Sequence, residues 1–115
     1  MKSVLVVVVA VLAAAPFLVS CAHSRSAGAE AHQRVEAGAT LVDVRTPEEF
    51  AAGHLPGAVN IPVEELSQRF AELGSPRKPL VVYCRSGARS RRAELFLKER
   101  GFQDVFNLGP MSAWE

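Results

Sequence analysis

Residues 79–90 read PLVVYCRSGARS: an apolar run that ends in a cysteine, then a short polar loop, before a helix-like segment at residues 91–100. This order places Cys84 at the carboxyl end of a buried strand, facing the amino end of a helix. In open α/β sheets, ligands bind at that edge. The stretch therefore predicts an α/β fold and the position of its functional site.

The loop after this strand has the composition of an anion-binding site. A glycine at position 87 permits backbone angles that other residues resist, which lets successive amides point inward. Inward amides form a nest for anions, and the dipole of the following helix adds to it. The amides concerned belong to Ser86, Gly87, Ala88 and Arg89.

The thiol of Cys84 is expected to ionise easily in this setting. Amides, a helix amino terminus and the guanidinium groups of Arg85 and Arg89 all favour the thiolate, and such features commonly lower a thiol pKa from about 8.5 to roughly 3.5–7.5. The plain alternative is a small buried residue that only packs. Because such a residue needs no neighbouring arginines and no glycine, we interpret Cys84 as a nucleophile.

The amino-terminal segment has the pattern of a signal peptide. Lys2 precedes an apolar run at residues 4–19, which is shorter than the about 20 residues that a membrane-spanning helix needs. The run closes with Leu-Val-Ser-Cys at residues 18–21, which resembles the lipobox of bacterial lipoproteins. This resemblance implies a signal peptide at residues 1–20, acylation of Cys21 and a tether over residues 21–28. An uncleaved anchor helix and an ordinary signal with a chance cysteine are the alternatives.

We accordingly expect an exported protein of the periplasm or cell envelope, anchored in the membrane through Cys21. With that cysteine acylated, Cys84 is the only thiol left, so an internal disulfide, a CxxC pair and a cysteine-based metal site are excluded. The three histidines lack metal-binding spacing, and we predict no metal and no cofactor.

Length and charge narrow the class of partner. The chain has 115 residues, enough for one domain, and we expect a monomer. Its formal net charge of +1 shows no general basic character, which argues against nucleic acid. Arginines are instead concentrated at positions 85, 89, 91 and 92, which suits a small anion.

Helical and strand patterns alternate along the chain. We predict helices at residues 29–39, 47–52, 62–73 and 91–100, and strands at residues 41–44, 58–61, 79–83 and 105–106. Thr46 and Glu49 form a capping box at the start of the second helix. The dipeptide at residues 109–110, Gly-Pro, is expected to break the chain. Alternation of this kind predicts an open parallel sheet covered by helices on both faces.

Three ordered motifs resemble the signatures of rhodanese domains. They are LVDVR with PEEF within residues 41–50, GHLPGAVNIP at residues 53–62 and VVYCRSGARS at residues 81–90. The resemblance covers residues 29–115 and is closest to the single-domain thiosulfate sulfurtransferases. It implies a rhodanese-like fold, in which Cys84 takes sulfane sulfur from thiosulfate or a similar small anionic donor. The cysteine then holds the sulfur as a persulfide and passes it to a thiol or to cyanide.

The same resemblance assigns roles around the cysteine. Cys84 is the catalytic residue, and the donor is bound by residues of the loop: Arg85, Ser86, Gly87, Ala88 and Arg89. Arg89 either holds the donor's oxyanion end or braces the loop by bonding carbonyls or glutamates. Asp43, Arg45 and His54 are signature residues for which we expect structural roles, with the histidine bonded to backbone.

The sequence departs from the rhodanese pattern at both ends of the domain. No strand pattern precedes the first helix, and the chain stops at Glu115, so that the closing helix is missing or one turn long.

A cysteine phosphatase or arsenate reductase is disfavoured, because phosphatase loops have five residues between cysteine and arginine, whereas this loop has four. A sulfur carrier or persulfide-binding module without turnover remains open, since the same cysteine would serve it.

Overall fold

The computed structural model describes residues 3–10 and 25–115 of the chain. The α-helices are α1 (Ala27–Glu36), α2 (Pro47–Ala52), α3 (Leu66–Arg69) and α4 (Ala88–Glu99). The strands are β1 (Thr40–Asp43), β2 (Val59–Asn60), β3 (Leu80–Cys84) and β4 (Val105–Pro110). Short 3₁₀ turns lie at Val63–Glu65, Phe70–Leu73 and Met111–Trp114.

The strands form one open parallel sheet in the order β2-β1-β3-β4. Because β3 lies between β1 and β4, its carboxyl end is flanked on both sides by the ends of neighbouring strands. This α/β architecture confirms the fold class predicted from the sequence.

Helices cover both faces of the sheet, and β3 contributes to both cores. Its side chains alternate, as the two-residue period of a strand requires. Val82 and Cys84 pack in the cluster that α4 and α3 complete, whereas Val81 and Tyr83 pack in the cluster beneath α1. All five residues of β3 are buried, which explains the continuous apolar run in the sequence.

The structure corrects the predicted boundaries in three places. Helix α1 begins at Ala27, with Ser26 as its N-cap, so that the helix starts inside the predicted tether at residues 21–28. The segment after Pro62 is not one helix but α3 between two 3₁₀ turns, with Leu66 buried toward the sheet. Helix α4 begins at Ala88 rather than at position 91, and so the end of the predicted loop is helical.

The Gly-Pro dipeptide near the carboxyl terminus does not break the chain as predicted. Gly109 and Pro110 pair with Tyr83 and Cys84 at the end of β4. A bulge makes this possible, because the pairing skips Leu108 and Gly109 adopts a positive φ of 85°. The strand thereby reaches the carboxyl edge of the sheet.

After β4 the described chain forms one 3₁₀ turn, Met111–Trp114. This turn packs on α1, where the Trp114 ring stacks on His32 with 3.6 Å between ring centroids. The His32 Nε2 atom lies 2.8 Å from the Trp114 carbonyl oxygen. Gly28 lies so close to the Ala113 carbonyl that a Cβ atom there would overlap it. The Met111–Trp114 turn therefore packs against the apolar cluster beneath α1.

The predicted signal peptide falls largely outside the described residues, as does Cys21. Residues 3–10 are exposed and form neither helix nor strand. No helix in the described part of the chain is both long and apolar enough to cross a membrane.

Candidate active site

Cys84 is the last residue of β3 and lies at the carboxyl edge of the sheet, opposite Pro110 of β4. Only residues 85–87 separate it from α4, and Gly87 makes this short turn with a φ of 104°. The cysteine is fully buried and belongs to no disulfide. Strand, turn and helix thus place the thiol beneath the amino end of α4, as the sequence predicts.

Two groups contact the sulfur directly, one in Gly87 and one in Ser90 of α4. The Gly87 amide donates a hydrogen bond to Cys84 Sγ, with an N–S distance of 2.9 Å. The thiol donates to Ser90 Oγ at 3.5 Å, and this hydroxyl donates in turn to the Gly87 carbonyl at 3.0 Å. Ser90 is fully buried, so that water does not compete for these bonds.

This environment lowers the pKa of the Cys84 thiol below its ordinary value. Burial is the largest single influence and raises the pKa, but the Ser90 hydroxyl and the amides of Ser90, Gly87 and Ser86 together outweigh it. Two of these amides are among the four predicted from the sequence. The lowered pKa therefore favours the thiolate, the form of cysteine that attacks electrophiles.

Arg89 forms an ion pair with Glu49. Of the two roles that the sequence allowed for Arg89, this is the one in which it braces the loop. Its Nη1 and Nη2 atoms donate to the two carboxylate oxygens of Glu49 at 2.6 Å and 3.0 Å. The hydrogen bonds to Arg89 are the main cause that lowers the Glu49 pKa to about 2. This ion pair joins α2 to the first turn of α4.

Arg85, in contrast, is exposed and forms no ion pair with any residue that the structure describes. It lines an open pocket of about 400 Å³ beside the loop, together with Arg45, Glu49, Ala52, Met111 and Ser112. The last turn of the chain therefore supplies one wall of this pocket. Since Arg89 holds Glu49, Arg85 contributes a guanidinium that no carboxylate of the described chain neutralises.

Asp43 and Arg45 have structural positions beneath the site. Both are buried, and the arginine donates to Asp43 Oδ2 through Nη2 at 2.7 Å and to the Gly53 carbonyl at 2.6 Å. The Tyr83 hydroxyl also donates to Asp43 Oδ2, at 2.7 Å, and accepts from the Leu55 amide at 3.0 Å. The network ties the loop after α2 to the ends of β1 and β3.

His54 bonds backbone, as expected: its Nδ1 atom lies 2.9 Å from the Phe50 carbonyl oxygen. The imidazole is exposed and stacks on the Phe50 ring. Within residues 3–10 and 25–115, no cluster of histidine, cysteine or acidic side chains could hold a metal ion.

Two residues at the site were not identified from the sequence as functional. Ser90 contacts the sulfur, and the available signal was a serine one residue beyond the loop arginine, at a position that the start of α4 turns inward. Glu49 was identified as a member of the capping box and of the PEEF motif, and not as a partner of Arg89. Nothing in its local sequence indicated that it pairs with Arg89, 40 positions away.

The geometry defines a class before any comparison: an α/β protein with a cysteine-centred anion cradle at the carboxyl edge of its sheet. A family model described as Rhodanese-like domain matches residues 15–115. This chain belongs to the rhodanese-like family.

Relatives with named activities support this assignment. The chain is 44% identical over 75 residues to a sulfurtransferase of Allochromatium vinosum, a match that covers 64% of this chain and 69% of that protein. It is 39% identical over 69 residues to the thiosulfate sulfurtransferase PspE of Escherichia coli, covering 59% and 66%. The matched segment thus spans about two thirds of each bacterial relative.

A solved structure agrees with the fold. The human single-domain sulfurtransferase TSTD1 superposes with a TM-score of 0.67 at 32% identity, over 75% of this chain and 89% of that one. The chain therefore has the architecture of a sulfurtransferase with a single rhodanese-like domain.

Proposed function

We propose that this protein is a thiosulfate sulfurtransferase-type enzyme in which Cys84 is the catalytic residue. The observation that carries the proposal is the pair of contacts on Cys84 Sγ, from the Gly87 amide and the Ser90 hydroxyl, which favour a buried thiolate. A buried cysteine that only packs has no use for polar groups aimed at its sulfur.

The first half-reaction transfers one sulfur atom. The Cys84 thiolate attacks the outer sulfur of thiosulfate, and the sulfur–sulfur bond of the donor breaks as sulfite leaves with the bonding electron pair. The product is an anionic persulfide on Cys84. The loop amides that stabilise the thiolate are already oriented toward this charge, so that little reorganisation is needed.

The donor binds at the loop, among residues Arg85, Ser86, Gly87, Ala88 and Arg89. Arg85 supplies a guanidinium without an ion-pair partner among the described residues; its planar fork suits an oxyanion, and it lines the pocket of about 400 Å³. Arg89 takes part through its place in the turn, since its terminal nitrogens hold Glu49. Because Cys84 is fully buried, sulfur transfer requires that the groups around the sulfur give the donor access to it.

The second half-reaction returns the cysteine to its thiolate. An acceptor thiolate attacks the outer persulfide sulfur and becomes a persulfide itself, whereas cyanide becomes thiocyanate. In both cases the electron pair of the broken bond goes to Cys84, so that no redox cofactor takes part.

Export and anchoring form a separate part of the proposal. Residues 1–20 serve as a signal peptide, and acylated Cys21 holds the protein, as a monomer, at a membrane of the cell envelope. The support is the apolar run at residues 4–19 followed by the lipobox-like sequence that ends at Cys21. Mass spectrometry of the amino-terminal peptide from membranes tests this: an acylated cysteine is expected, and Cys21→Ser is expected to leave the precursor uncleaved. An unmodified Cys21 in the wild type would contradict the anchor.

Initial rates with thiosulfate and cyanide test the enzymatic role. Replacing Arg85 with glutamine is expected to raise the Michaelis constant for thiosulfate about tenfold or more, because a charge-assisted hydrogen bond worth about 1.5–3 kcal/mol is lost. The matched control is Arg77→Gln, another exposed arginine. Equal Michaelis constants in the two variants would remove Arg85 from the donor site. A persulfide without turnover would indicate the carrier instead.

A further inference from the structure

Glu49 occupies the third position of α2 and has two partners at once. Its Oε1 atom accepts a hydrogen bond from the Thr46 amide at 3.2 Å, and its own amide donates to Thr46 Oγ1 at 3.2 Å, which together form the capping box. The same carboxylate accepts both terminal nitrogens of Arg89. One side chain therefore starts α2 and links it to α4.

The Glu49–Arg89 ion pair contacts α4, a helix whose first turn lacks the local interactions that usually stabilise a helix start. Helices α1 and α2 each have a side-chain cap and an acidic residue in the first turn. Helix α4 has neither, since its N-cap is Gly87 and its first turn contains no acid. The Glu49–Arg89 ion pair gives this turn a side-chain contact from another element, α2.

The turn in question presents its polar groups to the cysteine. The Gly87 amide and the Ser90 hydroxyl contact Cys84 Sγ, and Arg89 lies between them in the chain. A tether on Arg89 therefore restrains the peptide units on both sides. Because two bonds fix the guanidinium to Glu49, the restraint acts on orientation as well as on distance.

We propose that Glu49 is a positioning residue of the thiolate cradle, which acts through Arg89 to fix the turn that presents Gly87 and Ser90 to Cys84. The inference rests on the proposed role of Cys84 as the nucleophile. It also divides the work of the two loop arginines: Arg89 holds the cradle in shape, and Arg85 is left to bind the donor.

The alternative is that Glu49 acts on the cysteine only through its charge, and the two accounts predict opposite signs. Neutralising Glu49 removes a negative charge and leaves the positive charge of Arg89 uncompensated, which by electrostatics alone stabilises the thiolate. Loss of positioning instead loosens the amide and hydroxyl donors, which destabilises the thiolate. The direction in which the thiol pKa moves therefore separates the accounts.

The test is the pH dependence of Cys84 alkylation by iodoacetamide in the full chain, followed on the tryptic peptide that contains Cys84. Glu49→Gln keeps an oxygen for the capping box, which glutamine also forms, and removes the charge that holds Arg89. We expect the midpoint of the alkylation profile to rise by about half a pH unit or more, which slows the reaction about threefold below the midpoint.

Two further variants complete the experiment. Glu48→Gln, at the exposed neighbouring position of α2, is expected to leave the profile unchanged. Arg89→Met keeps the aliphatic stem, and we expect it to raise the midpoint as well. Adding Glu49→Gln to Arg89→Met is expected to produce no further rise, because the two residues act as one unit.

An unchanged or lower midpoint in Glu49→Gln would overturn the inference, as would full additivity of the two substitutions. If Arg89→Met instead weakens thiosulfate binding and leaves the alkylation profile unchanged, Arg89 is a donor-binding residue and Glu49 does not position the cradle. Alkylation needs no sulfur donor, so a failure of the wild type to form a persulfide would overturn the proposed function and not this inference.

Discussion

The hydroxyl of Ser90 has two acceptors within reach, and which one it uses depends on the protonation state of Cys84. With a neutral thiol, the hydroxyl accepts from the sulfur and donates to the Gly87 carbonyl. When the thiol ionises, the hydroxyl can turn and donate to the sulfur. The Gly87 carbonyl keeps its bond from the Arg91 amide at 3.1 Å, so this rotation leaves no buried group without a partner.

Ser90→Ala is therefore expected to raise the pKa of the Cys84 thiol by about one unit or more, because a hydrogen bond to a charged group contributes about 1.5–3 kcal/mol. The alkylation profile of Cys84 measures this shift. Ser86→Ala serves as the control, since it keeps the backbone amide and removes only an exposed hydroxyl. An identical profile for Ser90→Ala and the wild type would show that the hydroxyl does not stabilise the thiolate.

Tyr83 is the only tyrosine of the chain, and its burial makes it a reporter of the network beneath the site. Burial raises its pKa to about 12; the Asp43 carboxylate adds to this effect and the hydrogen bond from the Leu55 amide offsets part of it. In an unfolded chain the value is about 10. Between these values the unfolded chain releases a proton that the folded protein keeps.

We therefore expect the free energy of unfolding to be unaffected by Tyr83 below about pH 10 and to fall by up to about 3 kcal/mol as the pH rises toward about 12. Ultraviolet absorbance of tyrosinate measures the titration directly, and chemical denaturation at about pH 9 and about pH 11 measures the loss. Tyr83→Phe should lose less stability over that interval. Tyrosinate formation in the folded protein near pH 10 would contradict the buried network.

Among the elements, the pairing of α1 with the last 3₁₀ turn depends on a close backbone approach. Gly28 in α1 faces the Ala113 carbonyl, and a methyl group there would overlap that oxygen. The approach also seats Trp114 against His32. The Met111–Trp114 turn can thus pack against the apolar cluster beneath α1 only because α1 has no side chain at Gly28.

Gly28→Ala is expected to destabilise the protein by about 1–3 kcal/mol through overpacking, although helix propensity alone predicts a gain of up to about 1 kcal/mol. Thermal unfolding measures the net effect, and fluorescence of Trp114, the only tryptophan, reports whether the turn moves. Ala29→Gly at the exposed neighbouring position measures propensity without contact. A higher melting temperature for Gly28→Ala would contradict the close packing.

The elements that were predicted best from the sequence are those that depend only on residues close together in the chain. The capping box at Thr46 and the buried run of β3 appear in the structure as expected. The start of α4 was placed three residues late, because Gly87 and the residues after it read as loop until the helix packs over Cys84. The extension of β4 through Pro110 was missed because it depends on a bulge opposite β3. The Glu49–Arg89 pair joins distant positions and has no local signal at all.

At the scale of the whole molecule, the site lies at the carboxyl edge of the sheet, where residues from distant parts of the chain come together. β1 ends at the buried Asp43 network, β3 at the cysteine and β4 at the turn that walls the pocket. In an open parallel sheet these ends meet at one edge by construction. The short loop and the start of α4 then direct the Gly87 amide and the Ser90 hydroxyl at one sulfur.

The central claim is that Cys84 accepts sulfane sulfur, and the most direct measurement is the intact mass of the full chain before and after thiosulfate, beside Cys84→Ser. A gain of one sulfur atom on the wild type, reversed by cyanide and absent from the variant, is the expected result. A wild type that gains no sulfur although iodoacetamide alkylates Cys84 rapidly at neutral pH would contradict sulfur transfer from thiosulfate. A thiol that neither gains sulfur nor alkylates would contradict the catalytic role of Cys84 itself.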